Sequence, residues 1–447
     1  MTSQEATRYV ESREIFGMRF GLERMLAVLD GLANPQRCAP AIHVVGTNGK
    51  SSTTRFAAAI LRSQGHRVGS YVSPHVEGWH ERIMVDEVPV DPERFADAIG
   101  QVAECATRIL TDPNDVFTQF EVLTAAAFVV FADAQVDAMV VEAGLGGRFD
   151  ATNVFGGKAT VALTGIGLEH TAILGDTERA IAAEKLAVAR DGSTRLVVGA
   201  LSAAASEPVR AVCAERGLDP WFVGEDVIVT RRDDDFSVQT PGARYERLRI
   251  GARGGFQVDN AATAVAAVER HAGEPLDADA LRDALAAVHV PGRLEVVEAN
   301  PVIILDGAHN ADGMTALAAA VAQIVGEGPV VAVLSIFSDK DIPAMCAIVG
   351  TFAEQVVVTR SASARATDPA EIATVLGAIG IRVVVEPSPG RALAMAGAMA
   401  GAGGAVVVCG SLALLAEIRN IALQGWSERP GMLARGNAPE IVKKPER

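Results

Sequence analysis

Residues 46–51, Gly-Thr-Asn-Gly-Lys-Ser, stand between an apolar run at 42–45 and an amphipathic stretch at 53–64. A glycine loop that joins a buried strand to a helix start confines the chain to an open α/β sheet, with its ligand at the strands' carboxyl ends. Gly46 and Gly49 let backbone N–H groups around Thr47 and Asn48 turn inward about phosphate oxygens. The helix N-terminus adds positive potential and Lys50 adds a full charge. A serine hydroxyl, from Ser51 or Ser52, can reach Mg²⁺. Val44 occupies the position of the first glycine in the common eight-residue pattern. A plain glycine turn would explain Gly46 and Gly49, but not Lys-Ser at the helix start. The expected ligand is therefore ATP.

The same strand-then-helix alternation runs along most of the chain. Strands are expected at 42–45, 68–72, 138–141, 161–164 and 196–198, and helices at 53–64, 121–134 and 179–189. This implies a mainly parallel sheet with helices on both faces. Residues 220–250, with Asp233-Asp234-Asp235, suggest an antiparallel flap, and helical patterns return at 260–271 and 277–288. After Pro291-Gly292 a second α/β series begins, with strands at 302–305, 330–334, 356–358, 383–385 and 405–408. The boundary is placed at 297/298. At 447 residues, two domains fit better than one core.

Composition narrows the partners. A net charge of −15 argues against nucleic acid, while small anionic substrates stay open. Five scattered cysteines without a Cys-x-x-Cys pair suggest neither zinc nor a disulfide framework, and fit a reducing cytoplasm. Residues 1–16 are too polar for a signal peptide. The uncharged segment 392–416 imitates a membrane span, but Gly401, Gly403, Gly404 and Gly410-Ser411 read as a helix, a turn, a short strand and the next helix.

Ser73 and Glu142 fall at the ends of expected strands, where hard oxygen ligands suit Mg²⁺. Glu142 also has a lesser reading, as a strand-end carboxylate capping a loop. On pattern alone Lys185 is an exposed helix lysine and His170 a loop or helix-start histidine.

An ordered set of motifs then gives a specific resemblance. It comprises Gly21-Leu22-Glu23-Arg24, the phosphate loop, Ser73-Pro74-His75, Glu81-Arg82-Ile83, Phe120-Glu121, the run from Glu142 to Arg148, and Asp150-Ala151-Thr152-Asn153. His170, Leu174-Gly175, Glu184-Lys185, Pro291-Gly292-Arg293, the run from Asp306 to Asn310, Ser338-Asp339-Lys340-Asp341 and Gly410-Ser411 follow. The chain resembles the folylpolyglutamate synthase/dihydrofolate synthase family of the Mur ligase superfamily. The implied fold is an α/β P-loop domain with a mainly parallel sheet, residues 1–297, and a smaller Rossmann-like glutamate ligase domain, residues 298–447.

The resemblance implies site residues. One Mg²⁺ would lie near Ser73, Glu142 and the loop serine, taken as Ser51, and a second near His170. Lys185 matches a carbamylated lysine, an N6-carboxylysine whose anionic oxygens can approach the metal. Thr118, Gln119, Phe120 and Glu121, with Phe149-Asp150-Ala151, match a pocket for the pterin-bearing substrate, with residues 17–20 as a weaker candidate. Phe120 could stack on a heterocycle and Asp150 accept its N–H donors; both also read as a core phenylalanine and a turn aspartate. Asn260, Arg293 and Asp306 match ATP contacts, and domain closure about the Pro-Gly hinge could bring Arg293 onto the phosphates; it also reads as an interdomain salt bridge. His309 and Ser411 match positions linked to glutamate or closure. A monovalent cation is a further candidate. The chain departs from the family pattern at Ser51-Ser52, Glu169, Leu186 and Phe256, where Lys-Gly-Ser/Thr, Asp, Ala and His are usual.

The implied reaction is ATP-dependent addition of L-glutamate to dihydropteroate or a reduced folate through an acyl phosphate, in a cytoplasmic monomer. Lys50, Lys185, Arg293 and His309 are the expected catalytic residues. A ligase acting on a cell-wall precursor would carry a further domain before the loop, where only 45 residues precede Gly46. A ligase glutamylating another cofactor and a non-catalytic ATP-binding regulator are the other readings.

Overall fold

The apolar runs become strands because β-branched side chains fit a pleated surface buried on both faces. The structure is a computed structural model and describes residues 1–13, 21–112, 115–326 and 328–423. Two compact units divide it: Met1–Pro74, Gly78–Gly251 and Gln257–Val288 form the first, and His75–Glu77, Ala252–Phe256 and the chain from His289 onward form the second.

The first unit holds β1 (Ala41–Val45), β2 (Val68–Tyr71), β3 (Ile83–Val85), β4 (Val88–Pro89), β5 (Ala138–Glu142), β6 (Thr160–Leu163), β7 (Leu196–Val198) and β8 (Pro220–Phe222). Their order across the sheet is β4-β3-β2-β5-β1-β6-β7-β8. The six strands from β2 to β8 are parallel, and β3 and β4 add an antiparallel edge. β1 lies between β5 and β6, with Val44 opposite Glu142 and Val45 opposite Leu163. The phosphate loop thus leaves the middle of the sheet, flanked by the ends of both neighbours. A separate antiparallel sheet, β9 (Ile228–Arg231), β10 (Phe236–Gln239) and β11 (Arg244–Leu248), corresponds to the expected flap.

The second unit is a six-stranded sheet of β12 (Glu295–Ala299), β13 (Val302–Leu305), β14 (Val330–Leu334), β15 (Gln355–Val358), β16 (Arg382–Val385) and β17 (Ala405–Cys409). The order is β12-β13-β17-β14-β15-β16, parallel except for β12. The uncharged segment is the helix Pro389–Ala400, β17 and the start of the helix Leu412–Leu423. No described helix is long and apolar enough to cross a membrane.

Several helix boundaries differ from the sequence reading: the helices expected over 121–134 and 260–271 are Gln119–Asp133 and Gly255–Ala272, and two others bear on the site. The helix after the loop begins at Lys50, not 53, because Gly49 takes a left-handed backbone (φ 84°) and turns the chain straight into it. The helix expected over 179–189 is Glu178–Lys185 followed by a 3₁₀ turn, Leu186–Val188.

Candidate active site

Close backbone approach shapes the phosphate loop. A Cβ on Gly46 would lie 2.0 Å from Thr164 Oγ1, and one on Gly49 2.3 Å from Asn260 Oδ1. Both glycines have positive φ, so no other residue fits without strain. Lys50 Nζ donates to Gly46 O (2.9 Å) and Thr47 O (3.0 Å), which holds the ammonium over the loop. Thr47 is fixed through Gly167, whose N–H donates to Thr47 Oγ1 at 3.1 Å.

Glu142 ends β5 and is 1% exposed. Its Oε1 accepts from Ser51 Oγ at 2.9 Å and its Oε2 from the Ser73 N–H at 3.0 Å. Three segments, following β1, β2 and β5, thus meet at one carboxylate. Ser51 is the loop serine that touches Glu142; Ser52 is buried in the helix base. The Ser51 hydroxyl and the Glu142 carboxylate are hard oxygens, which fit Mg²⁺ bound through one carboxylate and substrate phosphates, while Ser73 meets the carboxylate through its backbone N–H.

Lys185 is 1% exposed, although pattern alone makes it a surface lysine. The glycine run after β5 packs against its backbone. Gly147 lies against the end of its helix, where a Cβ would meet Lys185 O at 2.6 Å, and the Arg148 N–H donates to Glu184 O at 3.1 Å. Lys185 Nζ donates to Glu169 Oε1 (2.7 Å) and to Gly46 O (2.8 Å). Burial lowers its pKa against the pull of Glu169, and Lys50 lowers it further. Burial pushes the Glu169 carboxyl up, but Lys185 and Lys50 override this and bring it down to about 2. His170, next to Glu169, takes a left-handed backbone (φ 46°) ahead of the short helix Thr171–Leu174. Glu169 stands out in the sequence only as a departure from the usual Asp. The structure makes it the partner of Lys185.

The expected pterin pocket contains groups with structural work of their own. Thr118 and Glu121 form a capping box on the helix Gln119–Asp133, and Glu121 also pairs with Arg24 at 3.1 Å. Gln119 Nε2 donates to Val10 O at 3.0 Å. The Phe120 ring covers Gly144, where a Cβ would come within 2.5 Å of it, and lies 6.0 Å from the Tyr71 ring. Asp150 accepts from the Leu145 and Thr152 N–H groups and from the Thr152 hydroxyl. Burial raises its pKa against those bonds. Ala151 is buried, and Phe149 is 44% exposed. Residues 17–20 lie outside the described residues.

In the second unit, Asp306 follows β13 and accepts from the Leu294 N–H (2.9 Å) and the Ala308 N–H (2.8 Å). Burial raises its pKa while the Arg293 charge lowers it. Arg293 Nη1 lies 2.8 Å from where a Gly307 Cβ would be. His309 Nδ1 is 2.8 Å from Gly307 O, and Ser411 Oγ accepts from the Leu414 N–H at 3.2 Å. Asn260, in the first unit, is held within the Gln-x-x-Asn element that follows Phe256: its Nδ2 donates to Gln257 Oε1 at 3.0 Å. Their spacing of three on one helix was the available signal.

Known proteins share this arrangement of chain. The Mur ligase middle domain matches residues 44–268, and the Mur ligase glutamate ligase domain matches residues 292–412. A dihydrofolate synthase/folylpolyglutamate synthase of Mycobacterium tuberculosis is 35% identical over 384 residues, covering 80% of this chain and 77% of its own. A solved Mycobacterium tuberculosis folylpolyglutamate synthase complexed with ADP is similar with a TM-score of 0.87 and 32% identity, covering 94% of this chain and 98% of that one. A bifunctional folylpolyglutamate synthase/dihydrofolate synthase with Mn, AMPPNP and L-glutamate bound gives 0.83 and 28%, over the same shares.

Proposed function

The chain belongs to the folylpolyglutamate synthase/dihydrofolate synthase family of Mur ligases, and from that premise we propose that it is an ATP-dependent amide ligase adding L-glutamate to dihydropteroate, to the γ-carboxylate of a reduced folate, or to both. The observation that carries the reading is the meeting of Ser51, Ser73 and Glu142 beside a phosphate loop whose lysine is already held over it.

The ATP γ-phosphoryl group passes to the substrate carboxylate, and the glutamate amine attacks the resulting acyl phosphate. A tetrahedral intermediate then collapses to the amide and releases phosphate. Such transfer needs position and charge rather than a covalent nucleophile. The inward N–H groups of residues 46–49 and Lys50 hold the phosphates, with Asn260 and Asp306 as further nucleotide contacts and Arg293 as a second cation. His309 and Ser411 are assigned to glutamate, and residues 118–121 and 149–151 to the pterin end.

Mg²⁺ held by Ser51, Ser73 and Glu142 would neutralise charge on the transferring group. A second ion near His170 suits Lys185 only as N6-carboxylysine, since an ammonium repels a cation. Carbamylation consumes the amine that pairs with Glu169, so the added negative charge needs that second ion beside it. A monovalent cation, a monomeric state and a cytoplasmic location complete the reading.

The deciding assay is glutamate-dependent phosphate release with dihydropteroate and with tetrahydrofolate. Turnover of either supports the reading, and turnover of neither assigns the chain a different acceptor.

A further inference from the structure

Helix Gly255–Ala272 lies against the phosphate loop, and one of its buried side chains has no role in the reaction described above. Gln257 is 0% exposed. Its Oε1 accepts from Asn260 Nδ2, while its own Nε2 has no hydrogen-bond partner. A buried donor left unpaired is costly, so the amide is not explained by packing: an apolar side chain of the same length would avoid that cost. One helical turn on, Asn260 Oδ1 faces Gly49 so closely that a Cβ there would sit 2.3 Å away. A carboxamide can present either its oxygen or its nitrogen, and hydrogen bonding decides which.

We infer that Gln257 is a positioning residue for nucleotide binding: its Oε1 holds the Asn260 nitrogen and so fixes the Asn260 oxygen toward the phosphate loop. The inference rests on the proposed role of Asn260 as a nucleotide contact. Among the described residues the Gln257 amide hydrogen-bonds Asn260 alone. Its effect passes wholly through Asn260, and this separates it from a residue that only fills space.

The test is a double-mutant cycle on the full chain, read by ADP affinity in calorimetry and by KM for ATP against kcat. Gln257→Met keeps length and volume but removes the acceptor. It should weaken ADP binding and raise KM for ATP roughly three- to tenfold, with kcat nearly unchanged. Asn260→Ala should weaken binding at least as much, and adding Gln257→Met to it should change nothing more. Unchanged ADP affinity in Gln257→Met, or additive losses in the double variant, overturns the inference. Unchanged affinity in Asn260→Ala instead overturns the nucleotide role of Asn260. If the methionine variant does not fold, Gln257→Glu, which keeps an acceptor oxygen, carries the test. ADP affinity within about twofold of the parent supports positioning through Oε1, and a larger loss with the fold intact overturns it.

Discussion

The strand ends of the two units use their polar residues differently. In the first unit the contacts span the chain: Ser51 and Glu142 are 91 residues apart, and Lys185 and Gly46 are 139 apart. In the second, the motif groups turn to close neighbours. Asp306 takes the Leu294 and Ala308 N–H groups, His309 reaches Gly307, and Ser411 caps the helix that follows it. One end is assembled by tertiary structure, with cations and carboxylates facing each other. At the other, the hydrogen bonds of Asp306, His309 and Ser411 given above are those of local turns. Side-chain loss should therefore cost chemistry in the first unit and stability in the second.

Lys50→Ala tests the difference most severely. It should lower glutamate-dependent phosphate release on the order of a thousandfold, since it removes a charge aimed at the transferring group. Circular dichroism should be unchanged, and normal turnover would sink the mechanism. Lys185→Ala should lose most activity too, and short carboxylates should restore part of it if a carbamate is the working form. Parental rates without additive would remove the carbamate.

Asp306→Asn reverses the expectation. An amide has one acceptor oxygen where the carboxylate has two, so one buried N–H loses its partner. Urea unfolding should show a loss of about 1–3 kcal/mol. A stability equal to the parent's would erase the contrast between the units.

The smallest effect is set by pH. His43 on β1 is buried with Nε2 2.7 Å from Thr152 Oγ1, and burial pushes its pKa down to about 3. The unfolded chain takes up a proton near its ordinary value of about 6.5. Its contribution to stability is therefore complete above that pH and is lost as pH falls toward 3. His43→Gln should flatten the decline in urea midpoint between pH 7 and pH 5. Equal declines in both proteins would clear His43 as a source.

The alternation of apolar runs and glycine turns made the α/β architecture legible, because strand burial leaves a direct mark on composition. Leu196–Val198, Val302–Leu305 and Val330–Leu334 are strands at the limits expected of them. The amphipathic helix Pro92–Ile109 was passed over, although its buried face from Phe95 to Ala106 follows helical spacing. The phosphate loop and Glu142 were legible because their chemistry is local or sits at a strand end. The burial of Lys185 was not, because its side-chain partners, Gly46 O and Glu169, come from other parts of the chain. The Gln-x-x-Asn element of Gln257 and Asn260 was legible as a motif, but the task of its glutamine was not. Its partner is nearby in sequence, but the loop that gives the pair a purpose is about two hundred positions away.

The glycines set the mutational tolerance of the site. Added Cβ atoms would meet Thr164 at position 46, Asn260 at 49, Phe120 at 144 and a helix carbonyl at 147, all within 2.6 Å. Every substitution of glycine adds at least that atom. A saturation scan should therefore rank these four positions with Lys50, though none contributes a side chain. Fragility here is concentrated in residues with nothing to remove, and random change can damage the catalytic end of the sheet most readily by adding a methyl group.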